Sequence, residues 1–479
     1  MRNSVIFYLN GKRHSVSDNR AGLMLADYLR YDQAMTGTKV VCAEGDCGAC
    51  SVLRYFPHTS GVDNDHFIPI NSCITPVATL DGASLLTVES LKEDERLHEA
   101  QRAMVDCHGS QCGFCTPGFV MALTGLVEEK ITRKQTDINE QEAKNCLTGN
   151  LCRCTGYKGI IDAAVNVDVK KEKLLKDRYV DAAQLKDLES VYSAGVKIEC
   201  EDFSFFAPKS IDEAVKYLAA NPDARIIASS TDLGVVHNKR KLHLSKLLSL
   251  HLIKELYDIS GEETIRLGAR VTMTEFRHYV KDRIPEVANY LDIFASPQIK
   301  NIATVVGNVA NASPIGDTPP VLLALDANVI LHGTNGERTV ELSKFFLDYR
   351  KTDRKSDEII KAIEFKKPAK TSSFKAYKNS NRKDLDISAV NMVVRVDWDD
   401  KKISDIRIAA GGIAATPLRL KKTEDALRGQ TLTKQLAEKV CNDIHAEFNP
   451  LSDLRASSAY RRVLVENYLM RFFKQEAQR

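Results

Sequence analysis

Residues 42–50 read CAEGDCGAC, with cysteines at Cys42, Cys47 and Cys50 and a further one, Cys73, beyond an intervening stretch. Three cysteines spaced C-x4-C-x2-C with a remote fourth form the arrangement in which four thiolates hold a [2Fe–2S] cluster. Gly45 and Gly48 fit this reading, because a loop wrapped around inorganic sulfide brings its backbone close and uses φ > 0. Zinc is the competing ion, but zinc sites favour two separated CxxC pairs over this asymmetric trio. Whatever fold the chain adopts must present such a loop early in its sequence.

At 479 residues the chain exceeds what one hydrophobic core organises, so several domains are expected. A hydrophobic content of 43% and a charged content of 27% are those of an ordinary globular protein. The net charge of +3 implies neither a nucleic-acid nor a membrane partner. The basic runs Lys170 to Lys173 and Lys239 to Lys241 read as solvated faces. The N-terminus enters a strand pattern rather than a secretory signal, and no apolar run of about 18 residues marks a membrane span. Twelve cysteines in that context point to thiolate chemistry in a reducing compartment, and a cytoplasmic location is the expectation.

Taken in order, VIFYLNGKRHSV from Val5 to Val16 predicts a hairpin turning at Asn10-Gly11. A short helix pattern follows at Gly22 to Arg30, then the cysteine loop and strand-like SVLRYF. After a Gly/Asp/Asn-rich excursion comes FIPINSCITPVATLDG with Cys73. These elements describe a ferredoxin-like β-grasp domain over residues 1–90. From Leu91 the period is helical, with Thr116 as N-cap and Pro117 at the first helical position. A second helix is predicted from Asp137, where Glu140 gives capping-box spacing.

Cysteines flank both helices. Cys112 and Cys115 precede the first, and Cys152 and Cys154 follow the second in a loop marked by Gly149 and Gly156. Two cysteines two residues apart face one centre only from a turn or extended segment. A helix N-terminus beside Cys115 favours its thiolate. Zinc is a serious rival for this set by itself; beside a ferredoxin-like loop, a second iron–sulfur cluster is the better reading. Cys107 and Cys146 stay unassigned, and Cys200 and Cys441 read as small buried hydrophobes.

Residues 167–198, rich in Lys, Asp, Glu and Leu, read as a linker. Beyond it, helices such as IDEAVKYLAA alternate with strands such as ARIIASS and TIRLGAR. Two stretches of small and hydroxyl residues, IIASSTDLG and ASPQIKNIATVVGNVANASPIGDTPP, could each cradle a pyrophosphate, or could be tight strand-end turns. There is no GxGxxG, Walker A, HExxH or GxSxG sequence. His237 and His243 read as surface residues. From about Thr371, strand-like MVVRVDW and ISDIRIAAGG precede Leu/Lys/Glu-rich helices, an α+β pattern with no catalytic constellation.

In this order, CAEGDCGAC, QCGFCTPG, GNLCRCTGY, SSTDLG, SPQIKNIATVVGNVANASPIGDTPP and YRKTDRKSDEII resemble the iron–sulfur and flavin portions of the xanthine dehydrogenase branch of the molybdenum hydroxylases. The resemblance spans essentially the whole chain. It implies a multidomain α+β protein: a β-grasp ferredoxin-like domain (1–90), a helical [2Fe–2S]-binding domain (91–166), the linker (167–198), a non-Rossmann FAD domain of the vanillyl-alcohol-oxidase-like kind (199–368) and a C-terminal α+β flavoprotein domain (371–479). It implies one [2Fe–2S] cluster on Cys42, Cys47, Cys50 and Cys73, and another on Cys112, Cys115, Cys152 and Cys154. Gln111 is similar to a residue that touches the molybdopterin of a partner.

FAD is implied along Ile226, Ile227, Ala228, Ser229, Ser230, Thr231, Asp232 and Leu233, and along Thr304, Val305, Val306, Gly307 and Asn308. Phe294 is implied near the isoalloxazine, with Asp317, Ile360 and Lys378 as further contacts. The family commonly has Gly at the position of Ser229 and often at Ser230, so this loop is bulkier, and the Cys115 to Cys152 spacing is slightly long. The family's molybdopterin domain is missing from this chain. The implied protein is an iron–sulfur/FAD small subunit with a separate molybdopterin-binding large subunit, as a dimer of heterodimers. Purine is then oxidised on the partner and electrons leave through FAD to NAD+, no side chain here serving as general acid or base. The alternatives are the same subunit of an aldehyde, carbon monoxide or nicotinate hydroxylase, or a non-catalytic redox sensor.

Overall fold

The computed structural model describes residues 1–57, 65–240 and 242–477. Most of the Gly/Asp/Asn-rich excursion, and Lys241 of the second basic run, lie outside the described residues; Lys239 and Arg240 are exposed. Packing divides the chain into two units, Met1–Tyr257 with Ser296–Ala303, and Asp258–Ala295 with Thr304–Arg479. The division falls inside the segment 199–368.

In the first unit the hairpin forms as expected, Val5–Leu9 pairing with Lys12–Val16 in the register Val5↔Val16. Asn10 (φ 51°) and Gly11 (φ 78°) take the left-handed turn positions. Val5, Phe7 and Leu9 are fully buried, as strand alternation requires. The sheet order is Lys12–Val16, Val5–Leu9, Ser84–Leu86, Ser51–Tyr55, Ile68–Asn71. Only the pairing of Val5–Leu9 with Ser84–Leu86 is parallel, the β-grasp arrangement. The helix expected over Gly22 to Arg30 is instead three short turns, Asn19–Gly22, Leu25–Asp27 and Tyr28–Asp32. The break has a cause: Leu23 and Met24 are extended, and Met24 bridges to Pro76.

Helices Glu99–Asp106, Thr116–Thr132, Glu140–Leu147 and Lys158–Val165 follow. The second of them is apolar nearly all round, burying Phe119, Val120, Met121, Leu123 and Val127, which is what a helix enclosed on every side requires. Its N-cap is Cys115, with Thr116 already helical. The next helix begins at Glu140, capped by Asn139, whose side chain accepts from Glu142 N while the Glu142 carboxylate accepts from Asn139 N. Both candidates have Glu at N3; the capping box that forms is the one between Asn139 and Glu142, which satisfies two orphan amides reciprocally. The linker is largely helical, with turns at Leu175–Tyr179 and Ala182–Ser193.

A second sheet in this unit has the order Val196–Glu199, Ser204–Ala207, Lys246–Ser249, Arg225–Ile227, its last two pairings parallel. It shares a continuous core with the β-grasp sheet, in which Phe205 and Ile198 join Phe7 and Leu9. Asp81, fully buried, sits on this core and accepts from Arg2 at 2.8 and 2.7 Å and from Ile6 N at 2.8 Å. His251 Nε2 lies 3.4 Å from it.

The second unit holds an antiparallel sheet in the order Ile259–Ser260, Thr264–Gly268, Ile359–Lys366, Asn328–Gly333, Gly336–Glu341. Helices Met273–Val280, Pro285–Asp292, Val305–Ala310 and Thr318–Ala324 accompany it. A four-stranded antiparallel sheet, Ser373–Asn379, Val390–Asp399, Lys402–Gly411, Leu418–Arg419, packs on helices Lys434–Asp443 and Ser458–Glu476 through Val394, Ile406, Ile408, Leu469 and Phe472. Among the described residues no helix is long and apolar enough to cross a membrane.

Burial pushes the Asp81 carboxyl up, but the hydrogen bonds and charges of Arg2 and His251 outweigh it and hold it below the usual carboxylate range. A carboxylate depressed in the folded state contributes stability above its unfolded pKa of about 4 and loses it as pH falls further. Asp81→Ala strands the Arg2 guanidinium and is expected to cost about 3–5 kcal/mol in urea unfolding at neutral pH. That difference from the parent should shrink progressively as pH falls below about 4.

Candidate functional site

The first cysteine loop is bent by three left-handed residues, Ala43 (φ 54°), Gly45 (φ 76°) and Gly48 (φ 66°). Cys47, Cys50 and Cys73 are buried and Cys42 is half-buried. Thiol meets thiol between Cys42 and Cys47, Cys42 and Cys73, and Cys50 and Cys73. Backbone amides of Glu44 and Cys47 point at the Cys42 sulfur, and that of Ala49 at Cys47. Asn71, fully buried, directs Nδ2 at Cys50 Sγ from 3.7 Å. The neighbouring thiols draw the Cys42 and Cys50 thiols down and push Cys47 and Cys73 up. Four sulfurs this close ionise together only if cations take up the charge.

The second set pairs Cys112 with Cys154 and Cys115 with Cys152. Cys112 and Cys154 are exposed; the other two are half-buried. Cys152 N donates to Tyr157 OH at 2.9 Å and Thr155 Oγ1 donates to Cys152 Sγ at 3.2 Å. Cys115 corrects an expectation. Although it caps a helix N-terminus, burial and the Cys152 sulfur push its free thiol up to about 12.

Among the described residues no group of three or more His, Cys, Asp or Glu side chains is placed to hold a metal ion. The thiols of the second set approach in twos, which suits a two-iron cluster, where each iron takes two cysteines, better than a tetrahedral zinc ion; those of the first set form a run Cys47–Cys42–Cys73–Cys50. Cys146, half-buried and donating to Ala122 O at 3.4 Å, is pushed up to about 12 by desolvation. Cys441 is buried as expected, whereas Cys200 is only half-buried, its thiol 3.7 Å from Ser17 O.

The two loops meet within the first unit. Leu151 N donates to Cys47 O at 3.0 Å, and Asn150 Nδ2 donates to Gly48 O at 3.1 Å. Glycines make this possible: a Cβ on Gly48 would lie 2.2 Å from Gly149 O, and one on Gly118 would lie 2.3 Å from Gly48 O.

Of the expected flavin residues, Ile226 to Leu233 belong to the first unit. The strand Arg225–Ile227 ends in a loop that enters the helix Leu233–Arg240. Ser230 is left-handed (φ 72°) and buried, and its hydroxyl donates to Ile74 O at 2.8 Å. That conformation explains why glycine suits this place. The serine hydroxyl is turned into the protein, so the loop offers backbone and the half-buried Ser229 and Thr231, a fit for a phosphate. Gly234 abuts Ile74 O, 2.4 Å from where its Cβ would be. His243 is exposed, but His237 is half-buried with Nδ1 2.9 Å from Leu242 O, correcting its reading as a surface residue.

Thr304 to Asn308, Phe294, Asp317, Ile360 and Lys378 belong to the second unit. Thr304 Oγ1 caps the helix Val305–Ala310 by accepting from Gly307 N at 3.0 Å. Asn308 Oδ1 accepts from Thr318 Oγ1 at 2.6 Å. Asp317 is the hub of a buried network, accepting from Lys378 Nζ (2.6 Å), Ser388 (2.5 Å), Tyr290 (2.9 Å) and Asn391 (2.9 Å). Burial and the Asp317 charge push the Tyr290 phenol well up. Phe294 is half-buried and Ile360 is buried in the sheet. The sequence reading missed Tyr290, Ser388 and Asn391, which carry no local motif.

Three family models match the chain: a [2Fe-2S] binding domain over residues 87–165, an FAD binding domain in molybdopterin dehydrogenase over 201–368, and a CO dehydrogenase flavoprotein C-terminal domain over 375–476. Iron–sulfur and flavin modules thus share one polypeptide. Xanthine dehydrogenase 1 of Arabidopsis thaliana is 29% identical over 98% of this chain, and xanthine dehydrogenase of Drosophila subobscura is 30% identical over 98%. The chain spans 39% of the length of each. Among solved structures, a chain of carbon monoxide dehydrogenase from Hydrogenophaga pseudoflava aligns with TM-score 0.54 and 28% identity, covering 56% of this chain and 95% of that one. Quinoline 2-oxidoreductase from Pseudomonas putida 86 gives 0.53 and 26%, covering 58% and 97%. The matches are thus to the iron–sulfur and FAD modules of molybdenum hydroxylases, which this chain resembles in sequence and fold.

Two substitutions test the local geometry. Ser230→Gly relieves a left-handed residue and loses one hydrogen bond, so thermal unfolding should shift little, whereas the β-branched Ser230→Val should destabilise by about 2 kcal/mol or more. Lys378→Met leaves Asp317 without its buried counter-ion and should cost about 3–5 kcal/mol, read by chemical denaturation.

Proposed function

We propose that this chain is the electron-transfer subunit of a xanthine dehydrogenase. Electrons from purine hydroxylation on a separate molybdopterin subunit would enter at Cys112, Cys115, Cys152 and Cys154, pass to Cys42, Cys47, Cys50 and Cys73, and leave by the flavin to NAD+. The observation that carries this reading is the backbone contact between the two thiol loops, Leu151 N to Cys47 O, in a chain that also matches a flavin-domain model. Similarity over 98% of the chain to proteins named xanthine dehydrogenase supports the substrate class.

When bound, the two [2Fe–2S] clusters supply one-electron carriers and FAD supplies the two-electron store. The protein's own residues do the rest. Burial of Cys47, Cys50 and Cys73 keeps water from the first set, while the exposed Cys112, Cys154 and Gln111 leave the second set open towards a partner. The Ser229–Asp232 loop and Thr304–Asn308 would bind FAD, with Asp317 held in place by Lys378. The domain limits proposed are 1–90, 91–166, 167–198, 199–368 and 371–479, in a cytoplasmic dimer of heterodimers.

A second reading, the equivalent subunit of a carbon monoxide or other molybdenum hydroxylase, is favoured by the solved structures that align with this chain. One experiment separates them. The purified chain should contain about four irons and one FAD, and with its molybdopterin partner should reduce NAD+ with hypoxanthine or xanthine but not with aldehyde or carbon monoxide. Reduction driven by aldehyde or carbon monoxide instead would select the second reading; a colourless zinc protein would end both. Cys50→Ser and Cys112→Ser should each remove about two irons, measured by metal analysis.

A further inference from the structure

Gln298 is fully buried in the short helix Pro297–Lys300, part of the Ser296–Ala303 segment that packs in the first unit. Its Nε2 donates to Asn150 Oδ1 at 2.8 Å and to Ser51 Oγ at 3.2 Å. Asn150 Nδ2 donates to Gly48 O at 3.1 Å, and Ser51 Oγ donates to the same carbonyl at 2.7 Å. The four residues therefore close a polar ring. Gly48 adjoins Cys47 and Ser51 adjoins Cys50 in the chain, while Asn150 stands two residues before Cys152. One side chain thus grips both cysteine loops.

The grip is anchored. Ser296 caps the helix, its hydroxyl accepting from Ile299 N at 3.1 Å, and Asn301 Nδ2 donates to Pro69 O at 2.9 Å. Ile299 packs against the cluster of Cys50, Cys73 and Ile74. Gly149 leaves room for the amide, since a Cβ there would sit 2.0 Å from Gln298 Oε1. Among the described residues that oxygen is buried without a hydrogen-bond partner. An unpaired buried oxygen is unfavourable, so an apolar side chain of like size would serve packing alone at least as well. What glutamine adds is two amide donors directed at two loops.

We infer that Gln298 is the positioning residue that holds the two cysteine loops at one separation and orientation, and hence sets the coupling between the groups they carry. The inference rests on the reading of both thiol sets as cluster ligands. Gln298→Met keeps the volume and removes both donors; Asn150→Ala and Ser51→Ala release the ring from its other sides.

The test uses the full chain, reduced with dithionite, with iron content and the spin–spin splitting between the two reduced clusters read by electron paramagnetic resonance. The parent should show about four irons and a split signal. Gln298→Met should keep the iron and lose or markedly change the splitting. The double variant Gln298→Met/Asn150→Ala should go no further than either single one, because the residues act as one unit. Parent-like splitting in an iron-replete Gln298→Met overturns the inference. Should that variant fail to fold, parent-like splitting in both Asn150→Ala and Ser51→Ala does the same. Lack of a two-cluster signal in the parent chain is a different result, because it refutes the ligand reading itself.

Discussion

Backbone meeting backbone between two cysteine loops is the constraint on which this molecule depends. Leu151 N reaches Cys47 O at 3.0 Å only because Gly48, Gly118 and Gly149 carry no side chain where the loops cross. A methyl group at any of them would have to share space with a carbonyl oxygen or an amide, and one of the loops would have to shift. The helix Thr116–Thr132 enforces the approach. It follows directly on Cys115, is buried on nearly all sides, and packs along the strand that leaves Cys50.

The second unit is organised by charge instead of by closeness. Asp317 has four donors around one carboxylate, and Lys378 neutralises it inside the protein. A buried pair of this kind is a poor source of stability compared with apolar packing. It does hold a carboxylate in one orientation, which loose hydrophobic contact would not. The two units thus solve a common problem, the exact placing of groups, by steric means in one and electrostatic means in the other.

Much of this could be read in advance where the chemistry is local. Cysteine spacing, the Asn10-Gly11 turn and the alternation of Val5, Phe7 and Leu9 depend on residues a few positions apart. Reading failed where a distant partner decides. Asn139 took the cap from Asp137 through its reciprocal bonds with Glu142, and since both candidates have Glu at N3 the local pattern did not choose between them. The Gly22 to Arg30 helix broke because Met24 pairs with Pro76. The depression expected for Cys115 at a helix N-terminus was reversed by burial and by the sulfur of Cys152. Gln298 stood in plain view inside a small-residue stretch, but its partners Asn150 and Ser51 lie 148 and 247 positions away, and nothing nearby announces them.

The Ser296–Ala303 segment also bears on how such a protein can be taken apart. Its neighbours on both sides in sequence belong to the second unit, yet the segment itself completes the first. A single cut at Tyr257 would part the chain into two pieces of reasonable size and leave the first without Gln298, Ile299 and Asn301. Gene fission at that point would therefore yield an iron–sulfur half with a hole beside its cysteine loops, to be filled only in trans by the other half.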